Sequence, residues 1–318
     1  MTTSVGTPSL RTVRRERARL RIRNARAFAA RYLRRTDGLI GLVILLFFAV
    51  LALLPNLFVG PLETVTTATG HSLEAPSVSH IFGTDELGRD MLNLTVHGAR
   101  VSMIIGLLAT VITIVLGTSI GISAGYIGGW VDNALMRLTD FFLVLPTFVL
   151  AVILAPLILE LLGDEAQLFG IKATLIVIVV VIGLTSWAST ARIIRSQTLS
   201  VKGRMFVDRA RVVGGGPGHI MWRHILPNVM NLIVANTVLT FATAIFTETT
   251  LSFIGLGDPF PPPWGQILNA AETSGAPGLG AWWYIVPPAT SVVLVILAFT
   301  LVGNALDDIL NPRSSTRR

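Results

Sequence analysis

The chain has 318 residues, 52% hydrophobic and only 14% charged, with mean hydropathy +0.69. A soluble domain of this length carries about 25% charge, so this is the composition of an integral membrane protein. With no cysteine, disulfides, thiol catalysis and Cys-based metal sites are excluded. The net charge of +7, gathered at the two ends and in one central loop, reports topology rather than nucleic-acid binding.

In chain order, residues 1–37 form a basic segment with eleven arginines between Arg11 and Arg35 and Glu16 as the single acid before Asp37. It reads as a partly disordered cytoplasmic tail that sets orientation; an amphipathic helix on anionic lipid, using Leu20, Ala27 and Tyr32, is the alternative. The membrane domain follows over residues 38–312, with a short tail at 313–318. Six apolar runs are long enough to cross a hydrocarbon core of about 30 Å at about 1.5 Å per residue. They cover about 39–58, 101–126, 134–162, 171–194, 229–254 and 283–306. The Arg-rich start assigns the N-terminus to the cytoplasm. Residues 60–98, with five acids against one Arg, are then external, as are 163–170 and 256–282. The 200–228 loop and the C-terminal tail are internal. The expected class is an all-α integral membrane protein with six spans and both termini cytoplasmic.

Within the first external segment, Gly83, Thr84, Asp85, Gly88, Arg89 and Asp90 suggest a tight turn, because glycine reverses the chain and Asp bonds its own backbone. A calcium loop is the other reading, although the acids do not follow the D-x-D-x-D-G order. Gly117, Gly121, Gly125 and Gly129 recur every four residues, a stripe that lets helices approach closely, within this chain or against a partner. Pro146 should kink the third span. Arg137 and Asp140, three residues apart, could pair with each other or face a substrate pathway. Glu248, about 30 Å along the fifth span from Asn228, is either a pathway acid or an anchor at the helix end.

The 200–228 loop is the most informative stretch. Lys202, Arg204, Arg209, Arg211 and Arg223 stand against Asp208 alone. Its first half reads as a short amphipathic helix with Val201, Met205 and Val212 on one face and Arg204, Asp208 and Arg211 on another. Gly214, Gly215 and Gly216 stop that helix, Pro217 opens a second, and Pro227 closes the unit. The expected product is a helix–turn–helix knuckle on the cytoplasmic side. No G-x-x-x-x-G-K-[ST], H-E-x-x-H or G-x-S-x-G pattern occurs, so an ATPase or hydrolase site is not expected on this chain.

These motifs resemble those of ABC importer permeases. Asp208-Arg209-Ala210, three residues, Gly214, nine residues and His224-Ile225-Leu226-Pro227 keep the register of the family's E-A-A…G…I-x-L-P loop, with Asp for Glu, Arg for Ala and His for Ile. The external Gly83-Thr84-Asp85…Gly88-Arg89-Asp90 run resembles the C-type permease of the dipeptide, oligopeptide and nickel group. So do Gly98-Ala99-Arg100-Val101-Ser102, Ala124-Gly125-Tyr126…Asp132, and Pro262-Pro263-Trp264-Gly265. The resemblance implies a type I importer permease fold. The expected partners are a second homologous permease, two ATPase subunits that carry ATP and Mg, and an extracytoplasmic solute-binding protein. In that picture Asp208, Arg209, Ala210, Gly214, Gly215, His219 and Pro227 mark the ATPase-coupling knuckle, while Asp140, Pro146 and Glu248 are pathway candidates. This chain would bind no cofactor of its own. The resemblance implies ATP-driven import of dipeptides or oligopeptides; the same importer type carrying glutathione or nickel chelates, or an ion-driven secondary transporter, is the alternative.

Overall fold

A computed structural model describes residues 23, 29–163, 167, 168, 171–258 and 260–310. Most of the Arg-rich tail and all of the 313–318 tail lie outside the described residues, as do Asp164, Glu165 and Pro259. The described residues are helical throughout their regular structure, apart from one isolated bridge, Thr84–Asp90, and a ladder of two-residue strands, β1 (Gln167–Leu168) and β2 (Ile171–Lys172). Among the described residues, five helices are long and apolar enough to cross a membrane, and a sixth crossing arises if one sharply bent pair counts as a span.

α1 (Thr36–Leu53) stops at Leu54, and a short α2 (Pro55–Val59) follows, so the expected 39–58 span is broken where Pro55 opens a new helix. α3 (Met91–Ile127) begins ten residues before the expected second span. The cause is Asp90, whose carboxylate accepts the Asn93 backbone N–H at 3.0 Å and caps the helix. The connecting segment expected to be external therefore spans 60–90 rather than 60–98, and residues 93–99 form a buried first layer of α3.

The glycine stripe is used inside the chain. A Cβ on Gly117 would stand 2.7 Å from Thr190 Cβ, one on Gly121 2.6 Å from the Ala191 carbonyl, and one on Gly125 2.8 Å from Thr198 Cβ. From the other side, Gly183 receives Ile112. These approaches seat α3 against α6 (Ala173–Lys202) at backbone distance. Gly129 leaves the stripe, because it forms a positive-φ turn with Gly128.

The third expected span is two helices, α4 (Gly129–Val144) and α5 (Thr147–Leu162), bent by 91°. Pro146 thus breaks the helix outright rather than kinking it: Leu145 before it is extended, as a residue preceding proline prefers. After α6 come α7 (Met205–Val212) and α8, a 40-residue unit over Pro217–Leu256. Pro227 does not close the knuckle as expected. A π turn over Met221–Ile225 precedes it, and the wider turn takes up the missing N–H and the ring. α9 (Trp264–Thr273) is a short helix inside the expected external connection, and α10 (Trp282–Leu310) runs through Pro287 and Pro288.

Contacts sort the helix termini into two groups. At one end, Asn93 at the start of α3 donates to the Val59 and Pro61 carbonyls, each at 2.9 Å. Lys172, before α6, meets Asp258, after α8, at 2.8 Å. Trp283 of α10 donates to the Thr84 carbonyl at 3.2 Å. At the other end, Tyr126 of α3 meets Lys202 of α6 and Arg211 of α7, and Arg35 before α1 pairs with Asp308 of α10. We call these the loop end and the knuckle end.

Candidate functional site

The knuckle is built from α7, a glycine turn and the first turns of α8. α7 ends in a paired C-terminal motif: Gly215 N–H donates to the Ala210 carbonyl at 2.9 Å and Gly214 N–H to the Arg211 carbonyl at 2.9 Å. Gly214 takes φ +88°, which only glycine occupies at little cost. Gly216 then precedes Pro217, whose missing N–H falls where the helix leaves that donor free. The two helical pieces are thereby joined by a fixed turn.

Beneath the turn lies an apolar seat. Val207, Ile220, Ile225 and Val229 are fully buried, with Ile194 and Val201 from α6 and Ile122 from α3. The expected apolar face is corrected here. Val201 belongs to α6, and Met205 and Val212 point outward at 71% and 88% exposure, because the turn rotates Val207 onto the seat instead. Val213 and Trp222 are exposed as well. Asp208 pairs with Arg211 at 3.1 Å on the outer surface. Arg209, Ala210, Gly214, Gly215 and His219 line a shallow cleft of about 680 Å³ with Phe206 and His224.

The sequence reading assigned no role to Tyr126, which ties this unit to the membrane helices. Its ring lies 5.8 Å from Lys202 Nζ and 5.4 Å from the Arg211 guanidinium. About two turns before Lys202 on the same helix, Arg195 grips Asp132 with two bonds of 2.6 Å, joining α6 to α4. The legible cue was the Tyr and Asp flanking the double glycine.

Asp140 does not pair with Arg137. Its carboxylate accepts from Arg192 of α6 at 2.5 Å, and both side chains stay about half exposed. α4 lies alongside α6, so the cross-helix partner displaces the i,i+3 one.

Glu248 is fully buried; Ser252 Oγ donates to it at 2.9 Å and Thr249 Oγ1 at 3.3 Å. Around it α9 seals the loop end. Trp264, also fully buried, donates its backbone N–H to Ser102 Oγ at 3.1 Å and its indole N–H to the Thr95 carbonyl at 2.9 Å. Gly265 meets the Thr249 carbonyl so closely that no side chain fits. Sequence reasoning treated this stretch as a stiff connector, and a Trp-Gly pair behind three prolines was the available hint.

The turn over residues 83–90 is a clasp. Asp85, fully buried, binds Arg89 Nε at 2.7 Å and accepts the Leu87 and Arg89 N–H groups at 2.9 and 2.8 Å. Gly83 and Gly88 reverse the chain with positive φ, Thr84 Oγ1 bonds the His71 carbonyl, and Asp90 accepts from His80 at 3.0 Å. Tyr284 of α10 donates to Glu86, so the clasp is fastened to the last helix.

Apolar helices of membrane-crossing length, closed at one end by a clasp and carrying a rigid polar knuckle at the other, define a multi-pass membrane permease class. The model of the family "binding-protein-dependent transport system inner membrane component" matches residues 117–316, and this chain belongs to that family. It is 35% identical over 276 residues to the dipeptide transport system permease protein DppC of Bacillus subtilis, covering 86% of this chain and 81% of that protein. The protein of the same name from Alkalihalophilus pseudofirmus is 34% identical over 279 residues, 87% of this chain and 86% of that one. The oligopeptide transport system permease protein OppC of Bacillus subtilis is 31% identical over 278 residues, 87% and 85% respectively.

Proposed function

We propose that this chain is a permease subunit of an ATP-driven importer of di- or oligopeptides, itself non-catalytic, forming half of a translocation pathway. ATP and Mg would be held by two separate ATPase subunits, a homologous permease would supply the other half, and an extracytoplasmic solute-binding protein would deliver cargo. The observation that carries this reading is the knuckle: a turn locked by backbone bonds, with exposed Val212, Val213 and Met205 outside and a seat shared with α3, α6 and α8 inside. Such a lever passes an external push to several helices as one rigid body. The similarity to dipeptide and oligopeptide permeases supports the cargo class.

We also infer six crossings with both termini cytoplasmic. The start of α1 and the end of α10 meet through Arg35 and Asp308, which requires an even number of crossings. The bent pair α4–α5 supplies the sixth, running from the knuckle end, where α3 stops, to the loop end, where α6 starts. The Arg-rich flank then puts the knuckle end inside. On the pathway, Asp140 with Arg192 is the favoured candidate, because a half-exposed ion pair within the span faces water or another subunit rather than lipid. Glu248, enclosed by its own chain, serves as an anchor.

The test is reconstitution of this chain with a homologous permease, ATPase subunits and a loaded binding protein in proteoliposomes. ATPase activity should rise with the loaded binding protein, and Gly214→Asp or Asp208→Arg should uncouple hydrolysis from uptake without loss of membrane insertion. Normal uptake in both variants, or uptake driven by an ion gradient without ATP, would overturn the reading.

A further inference from the structure

A second cavity lies on the flank of the helix bundle, away from both the knuckle and the Asp140–Arg192 pair. It is a groove of about 620 Å³ between the outer halves of α3 and α6. Ile104, Leu108 and Val111 form one wall and Ile176, Val179 and Val180 the other, while His97 and Arg100 stand at the mouth toward the loop end.

The position of Arg100 sets the level of the mouth. Residues 93–99 are buried under the external layer, Arg100 is exposed, and the exposed apolar surface of Ile104, Leu107, Leu108 and Val111 begins just below. That change from helix covered by protein to bare apolar helix is where we place the boundary between headgroups and hydrocarbon. Among the described residues, Arg100 makes no hydrogen bond or ion pair. His97, its neighbour one turn back, is engaged with the Gly60 carbonyl at 3.0 Å, and Lys172 across the mouth is held by Asp258. Among the described residues the guanidinium is thus a free planar donor, placed at the height we assign to lipid phosphates, where bidentate pairing with a phosphate is its strongest option.

The groove's length fits the same occupant. From Arg100 to Val111 is about 16 Å along the helix, and one leaflet of hydrocarbon is about 15 Å deep. A partner helix suits it less. Helix–helix contacts in membranes favour small residues that let backbones meet, and these walls are branched Ile, Leu and Val. We propose that the groove holds one phospholipid of the loop-end leaflet, its acyl chain between α3 and α6 and its phosphate on Arg100.

The experiment uses the full chain, assembled in nanodiscs of phosphatidylglycerol, extracted into detergent and weighed by native mass spectrometry. The wild type should retain one phosphatidylglycerol. Arg100→Gln should cut retention about tenfold, as expected for losing a charged hydrogen-bonded pair, and Leu108→Trp should remove retention by filling the groove. Arg100→Lys should keep most of it, and a diacylglycerol without phosphate should not be retained. Unchanged thermal unfolding of Arg100→Gln and Leu108→Trp guards against misfolding. Equal retention in the wild type and both variants, or equal retention of diacylglycerol, refutes the site. Capture of a second permease rather than lipid by a photo-crosslinker at Leu108 in the reconstituted complex refutes it as well.

Discussion

Three adjacent glycines in the knuckle differ in what a side chain would meet, so alanine at each should have a different cost. At Gly215 an added Cβ would lie 2.7 Å from the Ala210 carbonyl oxygen, the atom that accepts the Gly215 N–H. The overlap costs about 1–3 kcal/mol, as for other overpacked sites, and losing the bond adds about 0.5–1.5 kcal/mol. Together, about 1.5–4.5 kcal/mol shifts the equilibrium between closed and open turn by a factor of roughly 10 to 2,000. At Gly214 the space is empty, and the cost is the positive φ of +88° alone, about 1–2 kcal/mol. At Gly216 the space is again empty and the backbone extended at φ −68°, so alanine costs only the N-cap preference for glycine, about 0.5–1 kcal/mol. Amide hydrogen exchange over residues 205–220 of the full chain reads the opening directly, and binding-protein-stimulated ATPase activity reads its consequence. Protection and stimulation should fall in the order Gly216→Ala, Gly214→Ala, Gly215→Ala, the last being most severe. If Gly216→Ala opens the turn as much as Gly215→Ala, the turn is not held by the bonds described and the reasoning fails.

The two ion pairs between α4 and α6 should behave differently. Asp132→Asn loses a bidentate, partly buried contact with Arg195 and should cost about 1.5–3 kcal/mol, seen as a lowered unfolding temperature in detergent. Asp140→Asn, at a half-exposed pair, should cost no more than about 1 kcal/mol yet reduce uptake; the reverse pattern would remove Asp140 from the pathway. In the clasp, Asp85→Asn leaves Arg89 without its charge partner in a buried setting and should destabilise the clasp by about 3–5 kcal/mol. Limited proteolysis from the external side should then cut within residues 60–90 while the membrane helices stay intact, and a clasp as resistant as the wild type would contradict that assignment.

Much of this architecture was legible in the chain because membrane solvent imposes a simple code. Backbone polar groups must be satisfied within the segment, so long apolar runs become helices whatever their neighbours do. Composition, the order and rough centres of the apolar runs, a disturbed helix at Pro146, the glycine stop after α7 and the proline start of α8 follow from such local chemistry; the span ends do not, since α3 begins ten residues early and the third run is two helices. Local chemistry failed where a choice depended on what lay alongside. Asp140 had two candidate partners, Arg137 on its own helix and Arg192 across the bundle, and only the seating of α4 on α6 selects Arg192. The glycine stripe could have served this chain or another until Thr190, Ala191 and Thr198 were found against it. Pro227 looked like a terminator by propensity, but the π turn before it lets α8 continue. Val207 rather than Met205 or Val212 seats the knuckle, because the rotation of a two-turn helix is set by the surface beneath it. Solvent and covalent geometry act residue by residue and can be read in one dimension. Partner choice, rotation and enclosure depend on which surfaces meet, and that is decided only when the helices pack.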